Sequence, residues 1–467
     1  MGGHDETRSV SFSTRITRWT AYCLMTASLA AAVLLKGGVY PQQWVWSGLA
    51  LSLAAILALT VGGNSGPGLV QRLPWGIGAM GVLLAWMAFQ LVPLPPAVIE
   101  RISPEHWHAV AAARAATGQR PGAWLSLSVS PSVTFERLLD VLPAMAAFVV
   151  TGDMAWWWRK RLWIAIAPVV GVAVFESVLG LAQFYSMRDT GGYATGTYVN
   201  RNHFAGLLGL AFPLTVVLAA STWRTRDSQS THSARSGLSI AFLLVTSACL
   251  LGGVVVSLSR MGFISVLAGV GFTWFVVLMS RVGTDGPRRG WRRIWLWVMP
   301  VALPLLMVIL LPTRALILRF ADVASTQQVS QRDRIEIWRN TLQLISAYKW
   351  TGCGLGAFKQ GFFQYQTVAP VNTVDFAHND YLQIVAELGI PGSLLVAVLA
   401  GWIAARMLAV VWRRRNARNW QLAVGLFASI VTLAVHSLAD FNLYIPANAL
   451  ALAWLGGVAV SPGLREP

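Results

Sequence analysis

The chain has 467 residues, of which 55% are hydrophobic and only 12% charged, with a mean hydropathy of +0.56. That is too little charge to cover a soluble globule of this size, so a soluble enzyme is excluded and a polytopic all-α membrane protein is implied. The net charge of +17 would point to nucleic acid in a soluble protein, but its placement along the chain gives it another meaning.

In chain order, apolar runs near the ~20 residues needed to cross a bilayer fall at about 19–36, 44–62, 74–92, 138–152, 162–183, 203–222, 238–258, 262–280, 294–312, 391–411, 420–437 and 443–461. The expectation is therefore about twelve transmembrane helices. Arg8, Arg15 and Arg18 precede the first run; Arg159-Lys160-Arg161, Arg224/Arg226/Arg235, Arg288/Arg289/Arg292/Arg293 and Arg413-Arg414-Arg415/Arg418 fill every second connection after it. By the positive-inside rule both termini, residues 1–18 and 462–467, are cytoplasmic, and no nucleic-acid partner is needed. Removing the first run as a secretion signal would invert this alternation, so it is read as an uncleaved helix. Cys23 and Cys249 lie inside spans and Cys353 stands alone on the outer side, which gives no disulfide framework.

Two connections are long, 93–137 and 313–390, and both are assigned to the outer side. Helices 1–9 occupy 19–312 and helices 10–12 occupy 391–461, with a helical periplasmic region between spans 9 and 10. In 93–137, prolines bracket a short helix around 104–116, read as a cap over the bundle. Between spans five and six, Arg188 and the run Gly196-Thr197-Tyr198-Val199-Asn200-Arg201-Asn202-His203 gather amides, arginines and a tyrosine; Asn202 would cap span six. Arg260 sits in the very short outer turn Ser257–Gly262, either an interfacial anchor or an anion ligand.

The second long connection opens with a helix that Ser330 and Asp333 would cap. Ile335, Trp338, Leu342, Ile345 and Tyr348 form an apolar stripe at helical spacing, and Arg334 projects within it. An arginine there needs a partner: a carboxylate, water reached by snorkelling, or a ligand anion. Gly352-Cys353-Gly354-Leu355-Gly356 has no preceding strand and reads as a tight turn, not a phosphate loop. A helix unbroken from His378 to Trp412 would run ~50 Å, beyond a ~30 Å hydrocarbon core, so a break at Gly389-Ile390-Pro391-Gly392 is expected. His378 then lies at the start of a short helix 379–389 on the outer face, where helix N–H groups favour a neutral imidazole and a nearby anion.

Taken together, Thr197–Ala205, Ser257-Leu258-Ser259-Arg260, Arg334-Ile335-Glu336-Ile337-Trp338 with the glycine run, and Ala377-His378-Asn379-Asp380-Tyr381-Leu382-Gln383 through Gly389 resemble the O-antigen ligase and polysaccharide polymerase superfamily, over about 160–450. The resemblance implies transfer of a preassembled glycan from undecaprenyl diphosphate to an acceptor hydroxyl at the periplasmic face of the bacterial inner membrane. It implies His378 as the essential histidine and Arg260 and Arg334 as the diphosphate-holding arginines. Arg188, Asn200, Arg201, Asn202, Asn379 and Asp380 are candidate donor or acceptor contacts. No cofactor or metal is expected, because no Asp-x-Asp pair or Cys/His ligand spacing appears. Lipid A–core is the acceptor in a ligase, a second lipid-linked glycan in a polymerase, and protein in a third variant. A flippase would place charges and broken helices at the bilayer midplane, often in two related halves, a pattern this sequence lacks.

Overall fold

The computed structural model describes residues 12–62, 69–118, 124–187, 192–228, 234–281, 331–367, 373–413 and 419–464. The ninth expected span, Ser330 and Arg188 lie outside the described residues. Among those described, every regular element is helical and the sole β-type pairing is a bridge between Leu94 and Leu125. The helices are α1 (Phe12–Leu34), α2 (Pro41–Gly62), α3 (Leu69–Arg72), α4 (Pro74–Phe89), α5 (Pro96–Ile102), α6 (Pro104–Ala116), α7 (Pro131–Trp157), α8 (Trp163–Ser186), α9 (Arg201–Ser228), α10 (Ala234–Val256), α11 (Arg260–Arg281), α12 (Gln331–Ala347), α13 (Phe358–Phe362), α14 (Asp380–Arg413), α15 (Trp420–His436) and α16 (Pro446–Val460).

Six of these, α7 to α11 and α14, contain stretches long and apolar enough to cross a membrane; α4, α15 and α16 are shorter apolar helices. The chain is accordingly a multi-pass membrane protein. Prolines mark helix starts: Pro74, Pro96, Pro104, Pro131 and Pro446 each occupy a first turn, where the missing N–H costs nothing and φ is already helical. Pro104 opens the short helix expected near 104–116, but Pro131 extends α7 seven residues into what read as connection 93–137. Glu136 and Arg137 lie in that first stretch. Arg137 pairs with Asp140 at 3.3 Å, one turn on, and its guanidinium lies over the Tyr444 ring.

α9 is the central helix, packed on α8, α10, α11 and α15. Gly209 lies against Thr432 and Val266, and Gly425 against Leu214 and Val217, so α15 runs antiparallel to α9 and α11 parallel to it. Small residues at these crossings let backbones approach where no water drives helices together.

The two ends of the bundle are tied by different bonds. At one end the Tyr22 hydroxyl donates to Ile164 O (2.9 Å), Trp454 Nε1 to Ala165 O (2.6 Å) and Ser461 Oγ to Gly152 O (2.8 Å). Arg159-Lys160-Arg161, between α7 and α8, belongs to this end. At the other, Thr197 Oγ1 lies 2.9 Å from Val33 O, Tyr198 OH donates to Asn448 Oδ1 (2.9 Å) and Asn448 Nδ2 to His203 O (2.9 Å). Glu176, within the fifth apolar run, accepts from Thr197 N and Thr197 Oγ1 (both 2.8 Å) and so holds the 192–200 segment on α8.

The α12 stripe differs from its sequence reading. Ile337, Asn340, Thr341, Leu344 and Tyr348 are buried, whereas Ile335 and Leu342 are 50% and 55% exposed. At a membrane boundary apolar side chains can face lipid as well as protein, so apolar spacing alone does not select the packed face. Two polar bonds fix that face: Trp338 Nε1 donates to Ala377 O (3.0 Å) and Asn340 Nδ2 to Thr367 Oγ1 (2.9 Å).

Candidate functional site

The break in α14 falls at Gly389, with φ 64° and ψ −178°, a conformation only glycine adopts at no steric cost. A Cβ there would also approach Gly352 N to 2.7 Å. The short helix before the break begins at Asp380, and its last carbonyls need donors. The glycine run supplies them: Cys353 N donates to Ala386 O (2.9 Å) and Gly354 N to Glu387 O (3.0 Å). This run is thus a docking segment laid across a helix terminus as well as a turn. Gln90 at the end of α4 locks it, donating from Nε2 to Thr351 O (2.9 Å) and Glu387 O (2.8 Å) and accepting from Leu355 N (3.0 Å). Burial pushes the Cys353 thiol well up, which leaves it inert as a nucleophile.

His378 ends the segment leading into that helix with φ 52°, the left-handed region that non-glycine residues rarely occupy. Its neighbours impose this turn. Ala377 N donates to Gln383 Oε1 (2.9 Å), and Asn379 Oδ1 accepts from Leu382 N (3.0 Å) as the N-cap, which sets His378 one residue before that cap. Asn379 Nδ2 donates to Leu438 O (2.9 Å); Asp380 N is within bonding distance of Ser437 O (3.0 Å) and Asp440 O (3.1 Å); Asp380 Oδ2 accepts from Leu443 N (3.2 Å). Asn379 and Asp380, candidate substrate contacts in the sequence, therefore clamp the α15–α16 connection onto the histidine segment.

That connection completes the site. The His378 ring meets the edge of Phe441 (centroids 5.0 Å apart), which stacks on Phe376 (4.1 Å) and meets His203 from α9 (4.6 Å). Asp440 is fully buried, with Oδ1 3.5 Å from His203 Nε2 and Oδ2 3.9 Å from His436 Nε2. Arg334 Nη1 donates to Ala439 O at 3.1 Å, next to Asp440. Residues from α9, α12, α15 and two connections thus converge on one buried polar cluster. Among the described residues, Arg334 Nε, His378 Nδ1, Asp440 Oδ2 and both ring nitrogens of His436 have no hydrogen-bond partner. Buried polar atoms in native folds are nearly always satisfied, so this concentration marks the cluster as a place for a ligand or for proton movement.

Electrostatics sharpens the roles. Burial pushes the His378 imidazole down to about 4; Asp440 opposes this, while Arg334 and His203 add to it. It is therefore neutral at physiological pH. Burial would raise the Asp440 carboxyl, but His203, His436 and His378 more than offset it and hold the group well below the usual carboxylate range. An anionic Asp440 beside His378 can stabilise an imidazolium as it forms there.

Residues 242–397 match the O-antigen ligase family model. The chain is thereby similar to the superfamily whose motifs its sequence resembles. The match takes in α11, α12, the glycine run and His378; His203, His436 and Asp440 lie outside it and are brought in by the fold. No curated protein matches the chain.

The other O-antigen ligase-type residues are placed less centrally. Arg260 is the first residue of α11, at the same end of the bundle as His203, with Gly262 set against Ala205 of α9. The charges of Asp440, Arg334 and His203 act on His378. Arg201, 9% exposed, packs its guanidinium over the Tyr193 ring at 4.5 Å. Asn200, not Asn202, caps α9: its Oδ1 accepts from Asn202 N (2.9 Å), because the helix starts two residues earlier than the apolar run. Among the described residues no group of three or more His, Cys, Asp or Glu side chains could hold a metal ion. His436 and Asp440 went unnoticed in the sequence, although His436–Asn442 is a polar interruption between two apolar runs at the His378 end.

Proposed function

We propose that this protein is an inverting glycosyltransferase of the O-antigen ligase type. It moves a preassembled glycan from undecaprenyl diphosphate to a hydroxyl of lipid A–core at the periplasmic face of the bacterial inner membrane. The observation that carries the reading is the neutral, partly buried His378 held in a left-handed turn beside Arg334 and Asp440. The outward orientation is supported by Arg159-Lys160-Arg161 at the opposite end of the bundle.

In this mechanism the acceptor hydroxyl gives its proton to His378 as its oxygen attacks the anomeric carbon. The bond from that carbon to the diphosphate oxygen breaks, and a single displacement inverts the centre. Asp440 stabilises the imidazolium that forms. Arg334 and Arg260 receive the charge that develops on the leaving diphosphate, in a site where fixed guanidiniums need no reorganisation. The bound diphosphate also offsets the Arg334 charge and so raises the basicity of His378 towards the working pH. The arginines supply the electrostatic stabilisation, and the reaction as proposed uses no metal.

Purified protein given an undecaprenyl-diphosphate glycan and a choice of lipid A–core or a second carrier-linked glycan should form the lipid A–core product. His378→Ala should lower the rate on the order of 10²–10⁴-fold. Near-normal turnover by that variant removes His378 from the mechanism, and product on the carrier-linked glycan alone makes the protein a polymerase.

A further inference from the structure

Away from His378, the outer-end segments enclose a second site. A cleft of about 440 Å³ lies between α6 and the 348–364 segment, lined by His106, Val110, Arg114, Tyr348, Gln360 and Gln364 among others. Its volume is that of a small-molecule site. It is separate from the polar cluster: α12 carries Arg334 near its start and Tyr348 lies just past its end, so the two are roughly 20 Å apart at 1.5 Å per residue.

His106 is 4% exposed and lines this cleft with Nδ1 lacking any hydrogen-bond partner. Burial lowers its pKa, against the pull of a backbone bond to Leu127, so the ring is neutral and its orphan nitrogen is a weak polar group awaiting a matching partner. The Tyr348 ring stands edge-on to it at 6.5 Å. Gln360 and Gln364 are exposed and one helical turn apart, and each offers donors and an acceptor. Val110 and the tyrosine ring supply apolar surface beside these amides. Arg114 is the single charged residue of the lining, and no carboxylate lines it.

We infer that this cleft is a carbohydrate-binding subsite, which grips a neutral or acidic stretch of the glycan several sugars away from the bond being made. Adjacent donor and acceptor amides match vicinal hydroxyls, and the apolar patch matches the C–H face of a sugar ring. The inference rests on the glycan-transfer reading above and adds a second point of attachment for the sugar chain.

The test uses the full chain in lipid nanodiscs free of sugar-headed detergent. The probe is the carrier-free oligosaccharide released by mild acid from the host's own surface polysaccharide, and the readouts are its Kd and, separately, the KM and kcat for carrier-linked glycan. The double substitution Gln360→Ala/Gln364→Ala, at exposed positions, and the cleft-filling Val110→Trp should each weaken probe binding by about tenfold. KM should rise by a similar factor while kcat changes less than about twofold. His378→Ala should stop turnover yet leave the probe Kd unchanged. Failure of the wild-type protein to bind the probe, or cleft variants that bind within about twofold of wild type, overturns the subsite. Cleft-dependent probe binding without transfer to any acceptor keeps the subsite and sinks the proposed function instead.

Discussion

Glu387 and Asp440 are both fully buried carboxylates at the same end of the bundle, yet their surroundings are opposite. Glu387 is saturated: Oε2 accepts from Gly356 N (2.7 Å) and Tyr444 OH (2.7 Å), and Oε1 from Gln383 Nε2 (3.1 Å). Asp440 has one bond at Oδ1, from Phe441 N (2.9 Å), and none at Oδ2; the imidazoles beside it stand off at 3.5 and 3.9 Å. A satisfied network rigidifies a fold, whereas a half-satisfied one costs stability and persists where it serves chemistry. The contrast separates a structural carboxylate, which ties the glycine run to α14 and Tyr444, from one left able to respond to a proton.

The largest effect should come from Glu387→Ala. It strands the Tyr444 hydroxyl, the Gly356 N–H and the Gln383 amide, each worth about 1–3 kcal/mol when buried without a partner, for several kcal/mol in all. Thermal melting of the purified protein should show a large drop, with activity per folded molecule retained. Melting close to wild type would place Glu387 outside the structural class. Asp440→Asn should do the reverse: the fold persists while kcat falls by about 10²-fold, because the imidazolium at His378 loses its counter-charge. A melting loss as large as that of Glu387→Ala would erase the distinction between the two groups.

The finest test is pH. For the free enzyme, kcat/KM should lose its acid limb near pH 4, where His378 becomes protonated, not near the ordinary histidine value. Arg334 disfavours the imidazolium and Asp440 favours it. Arg334→Gln should therefore move the limb to higher pH and Asp440→Asn to lower pH. A limb that stays put in both variants would mean another group titrates there.

Parts of this architecture were legible in the residues themselves. The break before Pro391 followed from helix length against bilayer thickness, and it falls at Gly389. His378 and Arg334 could be singled out because charged or titratable groups are scarce in such a chain, and the fold brings them together. The α12 stripe could not be phased. Ile335 and Leu342 are as apolar as Ile337 and Leu344, and only the Trp338 and Asn340 bonds choose which pair packs inward. Asn379 and Asp380 looked like substrate contacts for the same reason that His378 did, yet they bond the 437–443 backbone.

The sequence alone determined that the chain is helical and membrane-embedded, that its basic residues gather in alternate connections, and that one histidine stands just before a helix. These follow from length, charge and local backbone rules, which act within a few residues. The tertiary structure decided that His203, His436 and Asp440 join His378, that Glu387 does not, and that His106 and Gln360 face one cleft. Such choices depend on bonds between residues as far apart as Asn448 and His203, 245 positions from each other, and no local pattern carries them. Only packing, which must satisfy or strand each buried polar atom, distinguishes a carboxylate whose bonds are all made from one left with an unpartnered oxygen.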